Sequence, residues 1–212
     1  MKPVSPEPSA DCPHCPRLAA FRDEQCHVHP DWFNAPVPPF GDSDAWLAVI
    51  GLAPGLKGAN RTGRAFTGDG SGAMLFQVMT EYGLARGGYD HDAEDTLTLD
   101  GAIIVNAVRC VPPANRPTPA EIRACQPYLR GPLLALPSLR AIIALGRIAH
   151  DAVIDAFGLR RSENRFAHGT EHRLQEGRIL IDSYHCSRYN QNIGRITHHM
   201  LGSVFGKAVR YR

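Results

Sequence analysis

Cys12 and Cys15 stand in the run Cys12-Pro13-His14-Cys15-Pro16, and a gap of two residues lets both thiolates face one ion. Cys110 and Cys125 follow far downstream, with fourteen residues between them. Four thiolates suit a tetrahedral zinc or a [4Fe–4S] cluster, and spacing does not choose between the two. The plainer alternative is a set of packed thiols. Cys26 and Cys186 are read as packed or surface thiols without a ligand role.

A second chemistry lies in the stretch from Gly51 to Gly72, where seven glycines permit close backbone approach to a ligand. Lys57, Arg61 and Arg64 add positive charge, and no acid precedes Asp69. Neither a Walker A nor a G-x-G-x-x-G spacing runs through it, which argues against nucleoside triphosphates and dinucleotides. Phe66 offers a stacking face, against the alternative of ordinary core packing. Asp69 is either a carboxylate stabilised at a helix start or one at the floor of a cleft. Asn106 is polar in an apolar run, where an unpaired amide would be costly. Asn115 sits among prolines after Cys110, as a turn residue or as a rigidly presented amide. Finally, Tyr184-His185-Cys186-Ser187-Arg188-Tyr189-Asn190 and the nearby Arg195 combine a histidine with amide and basic groups suited to a phosphate-bearing ligand.

Strands and helices must alternate to position these residues. Apolar runs at 45–50, 102–108, 139–145 and 178–184 read as buried parallel strands. Met74, Leu75, Val78, Met79 and Tyr82 recur at a helical period. Thr118-Pro119-Ala120-Glu121 is a capping box, and further helices are expected at 147–157 and from about Thr197. Residues 84–98 read as a Gly-rich, acidic surface connection. Alternation of this kind is an α/β fold with helices on both faces of a parallel sheet, whose sites gather beyond the carboxyl ends of the strands.

The 212 residues fit one domain, expected over 12–212 behind a disordered or loosely held stretch at 1–11. A hydrophobic share of 43% excludes a disordered chain. No apolar run approaches a membrane span, and Met1–Ala10 has no signal-peptide core, so a cytoplasmic protein is the expectation. A net charge of +2 leaves room for a local basic patch without requiring one.

Together the segments resemble the uracil-DNA glycosylase superfamily, specifically its type 5 (B-type) enzymes. The resemblance runs from about Cys12 to near the C-terminus. It is carried by Cys12-x-x-Cys15-Pro-Arg-Leu, Pro36-Val37-Pro38 with Phe40-Gly41-Asp42, and Gly51-Leu52-Ala53-Pro54-Gly55. Asn60-Arg61-Thr62-Gly63, Phe66-Thr67-Gly68-Asp69, Arg109-Cys110 with Pro112-Pro113, and His185-x-Ser187 complete the series. The resemblance implies an α/β/α sandwich around a four-stranded parallel sheet and a [4Fe–4S] cluster on Cys12, Cys15, Cys110 and Cys125. It further implies excision of deaminated bases from double-stranded DNA in base-excision repair, with single strands an open question and no second copy required. In a prokaryotic cell that places the enzyme at the nucleoid. Asp69, Asn115 and His185 would be catalytic. Gly51, Leu52, Ala53, Gly55, Phe66, Asn106 and His185 would hold the base, and Arg61, Ser187, Arg188, Asn190 and Arg195 the DNA.

Two residues depart from the family pattern. Asn106 stands where type 5 enzymes carry a small apolar residue and type 4 enzymes an asparagine, which points to a narrower, uracil-directed specificity than uracil, hypoxanthine and xanthine together. Cys186 replaces a proline between His185 and Ser187 and loosens that loop. The competing readings are a non-catalytic iron–sulfur nucleic-acid binder on the same fold and a zinc-stabilised nucleotide-binding protein.

Overall fold

A computed structural model describes residues 7–212. Its elements are α1 (Pro16–Val28), β1 (Phe40–Gly41), β2 (Leu47–Gly51), α2 (Ala59–Thr62), α3 (Gly72–Glu81), β3 (Ala85–Arg86), β4 (Thr98–Leu99), β5 (Ala102–Asn106), α4 (Pro119–Ala135), β6 (Ala141–Leu145), α5 (Arg147–Ala156), β7 (Glu171–Arg173), β8 (Ile179–Ser183), α6 (Arg188–Asn192) and α7 (His198–Val209). The four apolar runs form the parallel core β5-β2-β6-β8, and every residue in these strands is buried. The sheet is six-stranded because β1 and β7 add antiparallel edges. These edges of two and three residues are too short to carry a periodic signal, and β7 is polar throughout.

Side chains alternate across the sheet as the pleat requires. Leu47, Val49, Ile104 and Ile143 face α3 and α7, packing on Leu75, Val78, Met79, Val204 and Phe205. Ala48, Ile50, Ile103 and Ile142 face α4 and α5, packing on Leu129, Leu133, Val153 and Ile154. The α4 capping box forms: Thr118 Oγ1 accepts from the Glu121 amide, and the Glu121 carboxylate accepts from the Thr118 amide at 2.7 Å. Thr197 caps α7.

Residues 84–98 are more than a surface connection. Leu84, Ala85 and Leu97 are buried, and β3 pairs with β4. The Asp95 carboxylate grips the buried Arg64 guanidinium through two contacts of 2.7 Å. Arg64 therefore faces the core, with its guanidinium 5.0 Å from the Phe40 ring, and adds no charge to the glycine-rich loop. The expectation for 1–11 is only partly open to inspection, because 1–6 lie outside the described residues. Glu7 places its carboxylate 2.5 Å from the guanidinium of buried Arg109.

Candidate active site

The carboxyl ends of β2, β5 and β8 open into one cleft of about 400 Å³. Its walls include Leu52, Ala53, Gly55, Phe66, Asp69, Asn106, Asn115, His185, Ser187 and Arg188, which come from the three segments at and beyond the ends of these strands. Topology brings them together: in the parallel register Gly51 lies beside Asn106, and β8 delivers His185 two residues past its end. Gly51 is obligatory there, since a Cβ would collide with Asn106 Oδ1 and with the Phe66 ring. Asn106 is a buried polar residue and lines the cleft.

Two wall residues are held in strained backbone. Phe66 has φ +56°, and Ala114 and Asn115 have φ +54° and +55° in succession, a region that non-glycine residues rarely occupy. Strain of this kind persists only where the surroundings enforce it, and it clusters at functional sites. Asn115 ends a short 3-10 turn, Pro113–Asn115, five residues beyond Cys110. Phe66 stacks on the His185 ring with centroids 5.7 Å apart and planes inclined by 25°.

Asp69 is oriented by a turn. Its Oδ1 accepts from the Ser71 amide at 2.9 Å and from the Ser71 hydroxyl at 2.7 Å. Its Oδ2 lies against the Gly55 and Gly58 backbone, so close that a Cβ at either glycine would meet it. The carboxylate thus keeps one oxygen free of Ser71 at the cleft wall. Burial lowers the His185 pKa below the ordinary histidine value, with the Asp69 charge partly opposing. The ring is therefore neutral at pH 7. Its Nδ1 is buried without a hydrogen-bond partner among the described residues.

The DNA-binding expectations divide. Arg188 lines the cleft rim beside Gly70, and Ser187 caps α6. Asn190 is turned inward, donating from Nδ2 to the His185 carbonyl at 2.8 Å, and so braces the loop. The exposed Arg195 lies 5.1 Å over the Tyr184 ring. Arg61 is exposed outside the cleft, with Nε donating to the Lys57 carbonyl at 3.0 Å. Ser71, which sequence reasoning missed as a wall residue, had a signal in the Asp69-Gly70-Ser71 turn. Cys186 is buried in the main core, where burial pushes its thiol to about 12 and leaves it inert.

Behind the Asn115 loop, Cys12, Cys15, Cys110 and Cys125 line a second, apolar cavity with Leu18, Val108 and Tyr128. Two N–H groups point at its sulfurs: the Arg109 amide at 3.3 Å from Cys125 and Arg22 Nη1 at 3.6 Å from Cys110. Burial raises the Cys15, Cys110 and Cys125 thiols, a cost that metal ligation would reverse by taking the thiolate form. The four sulfurs share this one cavity.

A family model described as the uracil DNA glycosylase superfamily matches residues 38–205. A type-5 uracil-DNA glycosylase of Thermus thermophilus is 45% identical over 94% of this chain and 93% of that protein. A type-5 enzyme of Pyrobaculum aerophilum is 38% identical over 93% of this chain and 88% of its own length. A type-4 enzyme of the same organism is 34% identical over 66% of this chain and 63% of that protein. No helix is long and apolar enough to cross a membrane among the described residues.

Proposed function

This chain belongs to the uracil-DNA glycosylase superfamily, and on that premise we propose that it hydrolyses the N-glycosidic bond of uracil flipped out of duplex DNA, leaving an abasic site for base-excision repair. The observation that carries the reading is the meeting of Asp69, Asn115 and His185 around one cleft whose wall also carries a strained aromatic, Phe66. A cleft of this volume suits a small planar ligand, and a base inside a duplex reaches it only by leaving the stack.

Breaking the bond leaves positive charge on the deoxyribose and negative charge on the departing base, so catalysis consists of stabilising both ends. Phe66 stacks on the flipped base, and the Gly51–Gly55 backbone admits it without steric obstruction. Asn106 pairs with the uracil edge, which favours uracil over hypoxanthine and xanthine. Asp69, fixed through Oδ1 by Ser71, stabilises the sugar cation with its other oxygen and orients water with the help of Asn115. His185, neutral because it is buried, donates a hydrogen bond to the carbonyl oxygen of the leaving base without full proton transfer. Arg188, Ser187 and Arg195 meet the DNA backbone beside the opened strand.

Cys12, Cys15, Cys110 and Cys125 hold a [4Fe–4S] cluster. The four thiols lining one cavity and the two N–H groups aimed at sulfur fit such a cluster. When bound, the cluster is a cross-link tying α1 to α4 and to the loop that presents Asn115. The cleft is complete within one chain, so the enzyme acts as a monomer.

The test is strand cleavage by alkali of duplexes carrying uracil, hypoxanthine or xanthine, with Asp69→Asn in parallel. Uracil excision that collapses in Asp69→Asn is the expected result. Cluster-replete protein that binds DNA without excising any base is instead a non-catalytic binder.

A further inference from the structure

Asp182 is a fully buried carboxylate, the fourth residue of β8, flanked by two buried histidines outside the cleft. His150 on α5 places Nδ1 2.6 Å from Oδ1, and His172 on β7 places Nε2 2.9 Å from Oδ2. The other nitrogen of His150 lies 2.8 Å from the Asn164 carbonyl oxygen. The Ala167 amide also donates to Asp182 Oδ2, at 3.0 Å.

Counting hydrogens places a proton between His150 and Asp182. A carbonyl only accepts, so His150 Nε2 carries a hydrogen. A bare Nδ1 would then set its lone pair against a carboxylate oxygen at 2.6 Å, so a second proton must lie between them. Asp182 accepts from the Ala167 amide and the His172 ring through Oδ2, which leaves Oδ1 to the proton it shares with His150. With that proton on Nδ1, His150 is an imidazolium facing an aspartate. Burial opposes that proton, but the bond and charge of Asp182, the Asn164 carbonyl and Asp151 on the same helix outweigh it, and the His150 pKa is raised. A divalent ion on these three residues would instead hold its nitrogen and oxygen donors about 3.3 Å apart, given bonds of about 2.0–2.1 Å. Both contacts observed are shorter and have hydrogen-bond lengths.

The triad locks α5, β7 and β8 to the segment 164–170, which pairs with the outgoing end of β8. The Gly169 amide donates to the Asp182 carbonyl at 2.8 Å, the Asp182 amide to Thr170 at 3.0 Å, and the Tyr184 amide to His168 Nδ1 at 3.1 Å. The next residue is His185, whose buried Nδ1 has no hydrogen-bond partner among the described residues. Its ring stacks on Phe66. We propose that the His150–Asp182–His172 triad, with His150 doubly protonated, is the positioning device that fixes the backbone entering His185. The proposal rests on the glycosylase reading above.

The first test is nitrogen NMR of the imidazole rings in the full, cluster-loaded protein. Both His150 nitrogens should remain protonated at pH 8, where an ordinary histidine of pKa about 6.5 is almost wholly neutral. A singly protonated ring would overturn the proposal, as would one equivalent of zinc per chain that is lost in His172→Gln. The second test is a double-mutant cycle on single-turnover excision. His150→Gln should slow excision about 10- to 100-fold, since small misplacements near chemistry cost that much, with affinity for abasic DNA within about threefold. In a His185→Ala background the same change should cost less than about twofold. Equal losses in both backgrounds would reduce the triad to a purely structural part and overturn the positioning role. If His150→Gln does not fold, His172→Gln, which retains an N–H donor, completes the cycle. Wild-type protein without excision activity would refute the glycosylase reading itself, whereas an active wild type with additive losses refutes only the positioning role.

Discussion

Replacing His185 with alanine separates catalysis from stability. The ring donates to an oxygen whose negative charge grows as the base departs. Loss of one such donor costs about 2.7–4 kcal/mol, or about 10²- to 10³-fold in rate. The stability terms oppose each other. The alanine variant loses the Phe66 stack, worth about 0.5–1.5 kcal/mol. It also removes a buried nitrogen without a partner among the described residues, whose desolvation costs about 1–3 kcal/mol. The two terms largely offset each other, so thermal or urea unfolding should move little compared with the rate. The assay is single-turnover excision from a uracil-containing duplex, with abasic-DNA affinity and unfolding measured on the same samples. A rate loss under about tenfold, or an affinity loss as large as the rate loss, would refute the donor role. The pH response has a definite sign. Because the folded His185 pKa is depressed, the unfolded chain takes up the proton first. Stability from this group is present above about pH 6.5 and declines as pH falls below it.

Gly51→Ala should leave the fold intact but lower uracil excision about 100-fold, because its Cβ occupies the space of Asn106 and the Phe66 ring; far-ultraviolet circular dichroism beside the excision assay checks both halves. Asn106→Ala should lower uracil excision and narrow the gap to hypoxanthine, and unchanged excision with unchanged base preference would remove Asn106 from base reading. The Arg64 guanidinium beside Asp95 holds that carboxyl down to about 2, so about 2 kcal/mol of stability, present above pH 4, should fade as pH drops towards 2; Asp95→Asn should flatten that part of a pH–unfolding profile. Cys110→Ser should lose iron and the absorbance near ~400 nm and should melt earlier, measurable by metal analysis and calorimetry.

The sheet core was legible because its strands are buried on both faces, which leaves a run such as Ala141–Leu145 with no polar residue. The capping box marked α4 and Thr197 marked α7, since local hydrogen bonds write both starts into a few residues. Helix α1 was not legible. Its buried residues are Leu18, Arg22 and Gln25, because it docks on the cysteine cavity and needs no apolar stripe. The pairing of Arg64 with Asp95 spans thirty-one residues and could not be told from a free cation in a glycine-rich loop. In the cleft, residue types and loop ends pointed to Asp69, Asn106, Asn115 and His185. The inward turn of Asn190 and the strained backbone of Phe66 are tertiary facts that spacing does not encode. The buried triad did leave a trace, an aspartate inside Ile179–Ser183 and a histidine on the apolar face of α5.

The most direct test of the glycosylase reading is mass spectrometry of the products after cluster-replete protein acts on a duplex carrying a single uracil. Free uracil and an abasic strand, released one for one and suppressed in Asp69→Asn, are the expected products. Duplex that is bound yet recovered with its uracil in place would contradict the reading and leave a nucleic-acid-binding protein on a glycosylase fold.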